Sequence, residues 1–596
     1  MKFKPLLFLI PAACLASCSL KQVIENVFTP SSVNNYDTDP VETITNDTSS
    51  TSYDKDIEEE EVVTPENYDG ENTTSITGEG NYYFQGEIAP ITIKKNLEVY
   101  LFFDGVTISS DSAKAIDGKD GTKVHIVIQN GSKNTISNNC AKNALSVNGD
   151  LYLSGDGTLD IESKQQKGIK TDGDIYVSGE SLTLNVAGAE HAISGRSITV
   201  SKSSVNVSSK EDGFHLKCDD NTTQFTNEQG FAYFANANIT ADTYGDGIQA
   251  ASYVYLSGGE TTVTTHGEFV SYSTANMTTY GLETDDFKFV KSGSSYKRVA
   301  KDEIRNLSSS YYAFTQSVKG IKAGAIEDSS GNDITTGDYE ISIAHLANVT
   351  INSSDDCIHT NYGKVSLDSC NLELNSMDDG VHADYDLLIS NASVHITSSY
   401  EGLEGANVTI SGENTNIISY SSDDGINAAS DLVSQTNITI NDGYLRIYAN
   451  GDGVDANTAL YFKGGTTIVE GPGSGNGSLD SDKIYFQGGI VFACSTSGMT
   501  ESMTATQCTF AYQGSTMSTN KLISITDSNN NSLFSYTLKQ SCNQLIFSHP
   551  SLQVGSSYNI MSDSSKITTI SMTSTLTKVG ISGGGPGGGG GPGWGH

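Results

Sequence analysis

Basic residues are scarce: 34 Lys and Arg stand against 71 Asp and Glu in 596 residues, a formal net charge of -37. Such a field repels phosphate backbones and anionic lipid surfaces, which excludes nucleic acid as a partner and favours cations. Only 10 prolines and 1 tryptophan occur, and 18% of residues are charged. The 60 glycines follow no collagen period, and so low a charge content argues against a helical bundle. Nine cysteines are too few and too scattered for a disulfide scaffold of this length. They form no Cys-x-x-Cys pair and no zinc-type spacing. What remains is a β-rich extracellular composition.

The N-terminus carries Lys2 and Lys4, an apolar run at residues 6–9, then Leu15-Ala16-Ser17-Cys18, a span too short for a membrane helix. The ending resembles a bacterial lipobox. It predicts a signal peptide over residues 1–17, lipidation of Cys18, and a bacterial cell-surface location, on the outer membrane or extracellular face, in which the lipid is the only membrane contact. Residues 18–75 lack apolar periodicity and include the acidic run 58–61, which predicts a solvated acidic stalk. Residues 581–596 are a Gly-rich tail carrying Trp594.

Between the tails one phrase recurs: a small residue, a branched or aromatic one, a polar one, then usually another small one. Its first residue falls at Ala115, Ala144, Gly168, Ala192, Gly213, Gly247, Gly320, Cys357, Gly380, Gly402, Gly425 and Gly453, with spacings clustering near 22. That period means a solenoid. Alternating stretches such as Ile175-Val177 and Leu182-Leu184-Val186 predict short strands between the phrases. The expected fold is all-β: a right-handed parallel β-helix of about twelve coils over residues 76–490. An aromatic-rich insertion is expected at about 265–316, from the long Gly247 to Gly320 interval, and a small C-terminal β cap or accessory unit at 491–580. Cys357 takes an inward small-residue slot and fills core.

The residue before the small one is Asp212, Asp246, Lys319, Asp356, Asp379, Glu401, Asp424 and Asp452 in successive phrases. Stacked coils put these carboxylates about 5 Å apart in one column, which Asp355, Asp378 and Asp423 thicken. Like charges so close raise one another's pKa or recruit a cation, and flexible oxygen-rich turns suit Ca2+. The expected calcium ligands are Asp355, Asp356, Asp378, Asp379, Glu401, Asp423, Asp424 and Asp452. Asp-Gly turn chemistry is the competing explanation, since Asp accepts backbone N–H bonds. Two residues beyond each small one, alternation predicts an outward strip: His215, Gln249, Lys322, His359, His382, Glu404, Asn427 and Asp455, with Asn361, Asp384 and Asn457 nearby. His359, His382, Glu404, Asn427 and Asp455 are the expected carbohydrate contacts, because hydrogen-bonding side chains beside cations suit a linear polysaccharide.

The ordered succession of the phrases 319–323, 355–359, 378–384, 400–406, 423–429 and 451–455 resembles the bacterial carbohydrate-binding-domain β-helix family, extracellular proteins similar in fold to pectate lyases. The resemblance spans roughly residues 78–580. It implies calcium binding and affinity for acidic or cellulosic polysaccharide, without establishing catalysis. Cys357, where Gly or Ala is usual, and the aromatic rather than Gly/Ser-rich insertion depart from the pattern. Three functions remain open: calcium-assisted polysaccharide binding without cleavage, calcium-dependent lysis of uronic-acid polymers with Lys322 or Lys319 as base, and an adhesin or spacer. Binding ranks first because no second basic group accompanies either lysine.

Overall fold

The computed structural model describes residues 43–45, 67–267, 317–324, 326–472, 476–496 and 502–581, together with the backbone of strands Phe269–Tyr272, Phe287–Ser292, Ser295–Ala300 and Tyr311–Phe314. The expected signal peptide, Cys18, most of the stalk and the tail with Trp594 lie outside the described residues.

No helix occurs among the described residues; strands stack in parallel into three walls. Wall A holds the recurring phrase. Each of its strands pairs in register with the next, from Ser75–Ile76 through Ile169–Thr171, Ile248–Ala250 and Val381–Ser390 to Leu479–Ser481. The fourteen pairings make about fifteen turns rather than twelve, or roughly 70 Å of solenoid at ~4.8 Å per turn. The three extra turns hold strands Ser75–Ile76, Ile91–Ile93 and Leu479–Ser481, and there Thr73, Pro90 and Ser478 stand in register with the small Ala or Gly of the phrase and hide the repeat.

The phrase follows from packing. Its branched residue points inward, and Ile169, Ile193, Phe214, Ile248, Ile321, Val381 and Ile426 are all completely buried one above another. Each such side chain contributes about 1.5–3 kcal/mol relative to exposure. Its first residue must be small because the turns nearly touch: a Cβ on Gly425 would sit 2.1 Å from Ile447 Cγ2 and 2.5 Å from the Gly453 carbonyl. Cys357 fits the same slot, fully buried, with Sγ 3.7 Å from the Ile351 carbonyl.

Ile248–Ala250 stacks directly on Ile321–Ala323, so the whole excess between Gly247 and Gly320 is looped out rather than wound into further turns. Its strands form their own four-stranded antiparallel sheet. The coils begin at Gly70, inside the segment expected to be stalk. Thr43–Thr45 also departs from a free stalk: Ile44 N–H donates to Asn371 Oδ1 at 2.6 Å, and Asn371 Nδ2 donates to the Ile44 carbonyl at 3.1 Å.

At the other end Ile490–Ser495 is the last parallel strand of its wall and pairs antiparallel with Cys542–Ser548, which seals the stack. A four-stranded antiparallel sheet over residues 522–571 follows with its own core around Phe492, Phe510, Phe547 and Ile560. The buried Glu470 ties this unit down by accepting from Tyr536 Oη at 2.6 Å and from the Lys539 and Gln540 amides at 2.8 Å each.

Candidate cation centre and binding strip

Wall A begins at a tight turn, and the ladder residues sit in that turn. Each Asp of the ladder spends one oxygen on the backbone of the next coil. Asp212 Oδ1 accepts from Asp246 N at 2.8 Å, Asp246 Oδ1 from Lys319 N at 2.7 Å, Asp356 Oδ1 from Asp379 N at 2.9 Å, and Asp379 Oδ1 from Glu401 N at 3.2 Å. Asp424 Oδ1 accepts from Asp452 N at 2.5 Å. Turn chemistry therefore accounts for one oxygen of each Asp rung.

The second oxygen meets the strip. Three residues on from each Asp, the strip histidine returns to its own coil's ladder: His215 Nδ1 lies 2.5 Å from Asp212 Oδ2, His359 Nδ1 2.7 Å from Asp356 Oδ2, and His382 Nδ1 3.2 Å from Asp379 Oδ2. The two columns expected to act separately are thus one network. The strip itself runs in unbroken register through Lys322, His359, His382, Glu404, Asn427 and Asp455 and continues to Asp480. Asn427 differs from the expected exposed contact: it is 7% exposed and donates to Glu401 Oε2 at 2.8 Å, holding the ladder rather than facing solvent.

The ladder has two electrostatic halves. In the first, the protein supplies its own cations. Lys319 Nζ lies 2.6 Å from Asp356 and 3.3 Å from Asp355. Burial opposes both charges, yet Asp355 and Asp356 hold the Lys319 ammonium well above its usual range, and Lys319 with His359 holds Asp356 well below its own. Lys319 is thereby a clamped counter-ion, a poor general base. Burial and the Lys319 charge lower His359. His382 is raised despite burial, because Glu404, Asp379 and Asp384 surround it. Asp379 is raised too, by burial and then Asp378.

The second half has carboxylates alone in the same positions. Burial, then Glu404 and Asp379, raises Glu401; burial, then Asp423, Asp455 and Asp452, raises Asp424; burial pushes Asp452 up to about 6. Asp424, Asp452 and Asp455 bring one oxygen each within 4.8 Å of one another. This donor set is oxygen only and fits a hard cation. Asp355, Asp356 and Asp378 converge equally closely, but there the Lys319 ammonium already stands.

Two features escaped sequence reasoning. His191, directly before Ala192, heads the ladder one coil above Asp212, and its ring stacks on His215 with centroids 4.0 Å apart. Its position in the phrase was the available signal. Asn361 and Asp384, placed merely nearby by sequence, contact the outer nitrogens of His359 and His382 at 2.6 and 3.3 Å.

A family model described as carbohydrate-binding domain-containing protein matches residues 70–380 and 369–524. No curated protein and no solved structure matches the chain. The matched stretches run from the first coil to beyond the last coil of Wall A and take in the whole ladder and strip, and the chain belongs to the carbohydrate-binding domain-containing protein family.

Proposed function

We propose that the protein captures an acidic or cellulosic polysaccharide along the Wall A strip with the help of Ca2+, without cleaving it, while a lipid on Cys18 holds it at the cell surface. The observation that carries this reading is the continuous polar register from His359 to Asp480 beside a carboxylate column that lacks a basic member in its second half. A net charge of -37 repels a polyanion, so a uronate chain needs bridging cations, and His359, His382, Glu404 and Asp455 offer hydrogen bonds to hydroxyls. Calcium is assigned to Asp424, Asp452 and Asp455, with Asp423 and Glu401 adjacent, rather than to the full set of eight carboxylates, since Lys319 neutralises Asp355 and Asp356.

The test is a glycan array probed with the full chain in calcium and in chelator. Asp424→Asn with Asp455→Asn should abolish calcium-dependent binding and leave absorbance at unsaturated-uronate wavelengths flat. Binding that survives chelation, or a rise in unsaturated product, would overturn the reading.

A further inference from the structure

The ring nitrogens of two neighbouring coils meet oxygen atoms on every side. His359 Nδ1 faces Asp356 Oδ2 at 2.7 Å and its Nε2 faces Asn361 Oδ1 at 2.6 Å. His382 Nδ1 faces Asp379 Oδ2 at 3.2 Å and Glu404 Oε2 at 2.9 Å, and its Nε2 faces Asp384 Oδ1 at 3.3 Å. Both nitrogens of each ring are thus turned to oxygen atoms, and an imidazole that gives up its outer proton to an entering cation has one N–H and one lone pair. Turning the Asn361 amide end for end would give His359 a donor. Asp384 has no such turn.

The inner nitrogens are the natural donors. Their acceptors, Asp356 and Asp379, are each fixed through Oδ1 by the backbone of the next coil, at 2.9 and 3.2 Å. That leaves the two outer Nε2 atoms beside Asp384, whose Oδ2 is fixed by Tyr362 N at 2.8 Å. Ligand atoms of His359, His382 and Asp384 lie within 4.8 Å of one another, and the two rings stack at 4.6 Å. A carboxylate on the far nitrogen is the arrangement that orients a ligating histidine and raises its basicity.

The other histidine pair differs at one ring nitrogen. His191, Asp212 and His215 are as tightly grouped, but there Asp212 N–H donates to His191 Nδ1 at 3.2 Å, His215 meets Asp212 Oδ2, and His191 Nε2 reaches Glu211 at 3.3 Å. The His191 Nδ1 lone pair there receives a backbone N–H.

We propose that His359, His382 and Asp384 bind one divalent transition-metal ion of the zinc class, with Asp356 and Asp379 as positioning residues on the far ring nitrogens. Two imidazoles and one carboxylate suit a borderline metal, whereas calcium selects oxygen. The side chains are 14%, 22% and 22% exposed, so an ion enters from the strip. The site stands independently of the polysaccharide reading and of the carboxylates assigned to calcium.

The test uses the full chain, stripped with chelator and dialysed, titrated with Co2+ by visible absorption and with Zn2+ by calorimetry, in excess Ca2+ and without glycan. One Co2+ per chain should bind with the spectrum of a nitrogen-ligated ion and be displaced by Zn2+. His359→Gln and Asp384→Asn should each weaken Co2+ binding by about 100-fold or more, and Asp356→Asn by about 10–100-fold. His191→Gln should leave it unchanged. If His359→Gln fails to fold, Asp384→Asn on the partly exposed side carries the test. Absence of saturable Co2+ binding, its loss on His191→Gln, or its displacement by Ca2+ would overturn the proposal. Failure of the calcium reading shows separately, as glycan binding indifferent to Asp424→Asn.

Discussion

Replacing Lys319 by Met tests whether the first half of the ladder is neutralised from within. The ammonium lies 2.6 Å from Asp356 and 3.3 Å from Asp355, with side-chain exposures of 12%, 4% and 15%. Removing one partner of a buried pair leaves the other charge stranded, which costs about 3–5 kcal/mol. The pH dependence has a definite sign. In the native chain the Asp356 pKa is depressed, so its contribution is present above the unfolded value of about 3.9 and is lost only as pH falls through the lower folded value. In Lys319→Met the cation is gone and burial with Asp355 and Asp378 pushes Asp356 upward. Its penalty is then largest near neutrality and shrinks as the group protonates, so the variant should approach the native chain between pH 7 and pH 4.5. Calcium should also rescue it, by about 2.7 kcal/mol at 100 times the dissociation constant, because Asp355, Asp356 and Asp378 then converge on an empty position. A solenoid of this length need not unfold in one step, so the readout is hydrogen exchange at residues 353–384 together with the melting curve. Equal protection in chelator at pH 7, or a loss that is the same at pH 4.5, would refute the account.

Three further outcomes follow from the same geometry. Because Asp452 is raised by burial to about 6, its stabilising contribution is present below the unfolded value near 3.8 and is lost as pH rises through 6. Calcium-free protein should therefore melt higher at pH 5 than at pH 7, and calcium should erase the difference in a scanning-calorimetry series. Tyr536→Phe removes the donor to Glu470 Oε1 and the 2.9 Å contact with Tyr448 Oη. A loss of about 1–3 kcal/mol, read as faster exchange over residues 522–571 with coils 116–250 unchanged, is expected. Gly425→Ala forces a Cβ to within 2.1 Å of Ile447 Cγ2, so it should destabilise by about 1–3 kcal/mol in chemical denaturation, whereas Ala192→Gly at the equivalent place should change little beyond the glycine entropy term.

The repeat was legible because one steric demand recurs at one place per turn. Where coils approach closely enough that the carbonyl of the next turn sits about 2.5 Å from a would-be Cβ, as at Gly213, Gly320 and Gly380, only a small residue survives, and twelve such positions show the period. The three missed turns lie near the ends, where Thr73, Pro90 and Ser478 stand in that slot and the repeat loses its marker while the parallel pairing persists. The looped-out sheet between Gly267 and Ser317 was visible as an interval and as aromatics, yet its antiparallel pairing was not. Nothing in a spacing says whether extra residues wind or leave.

The site was legible as two columns and illegible as one network, for a reason that lies in the turn. Sequence alternation tells which face a residue takes on a strand, but the ladder residues sit in the bend before the strand, where alternation does not apply. In the fold the bend carries Asp356 and Asp379 under the strip so that one oxygen caps the next coil and the other takes the histidine. From this the cation question divides along the axis. Where a Lys or His occupies the column, at Lys319, His359 and His382, the carboxylates have nitrogen-bearing partners supplied by the chain. Where Glu404, Asn427 and Asp455 occupy it, buried Glu401, Asp424 and Asp452 face carboxylates and one amide, and the charge has to be balanced by protons or by an ion from outside. Charge sign along one strip thus decides which metal chemistry each rung admits, and a polysaccharide laid on it would meet nitrogen-bearing groups at one end and oxygen-bound cations at the other.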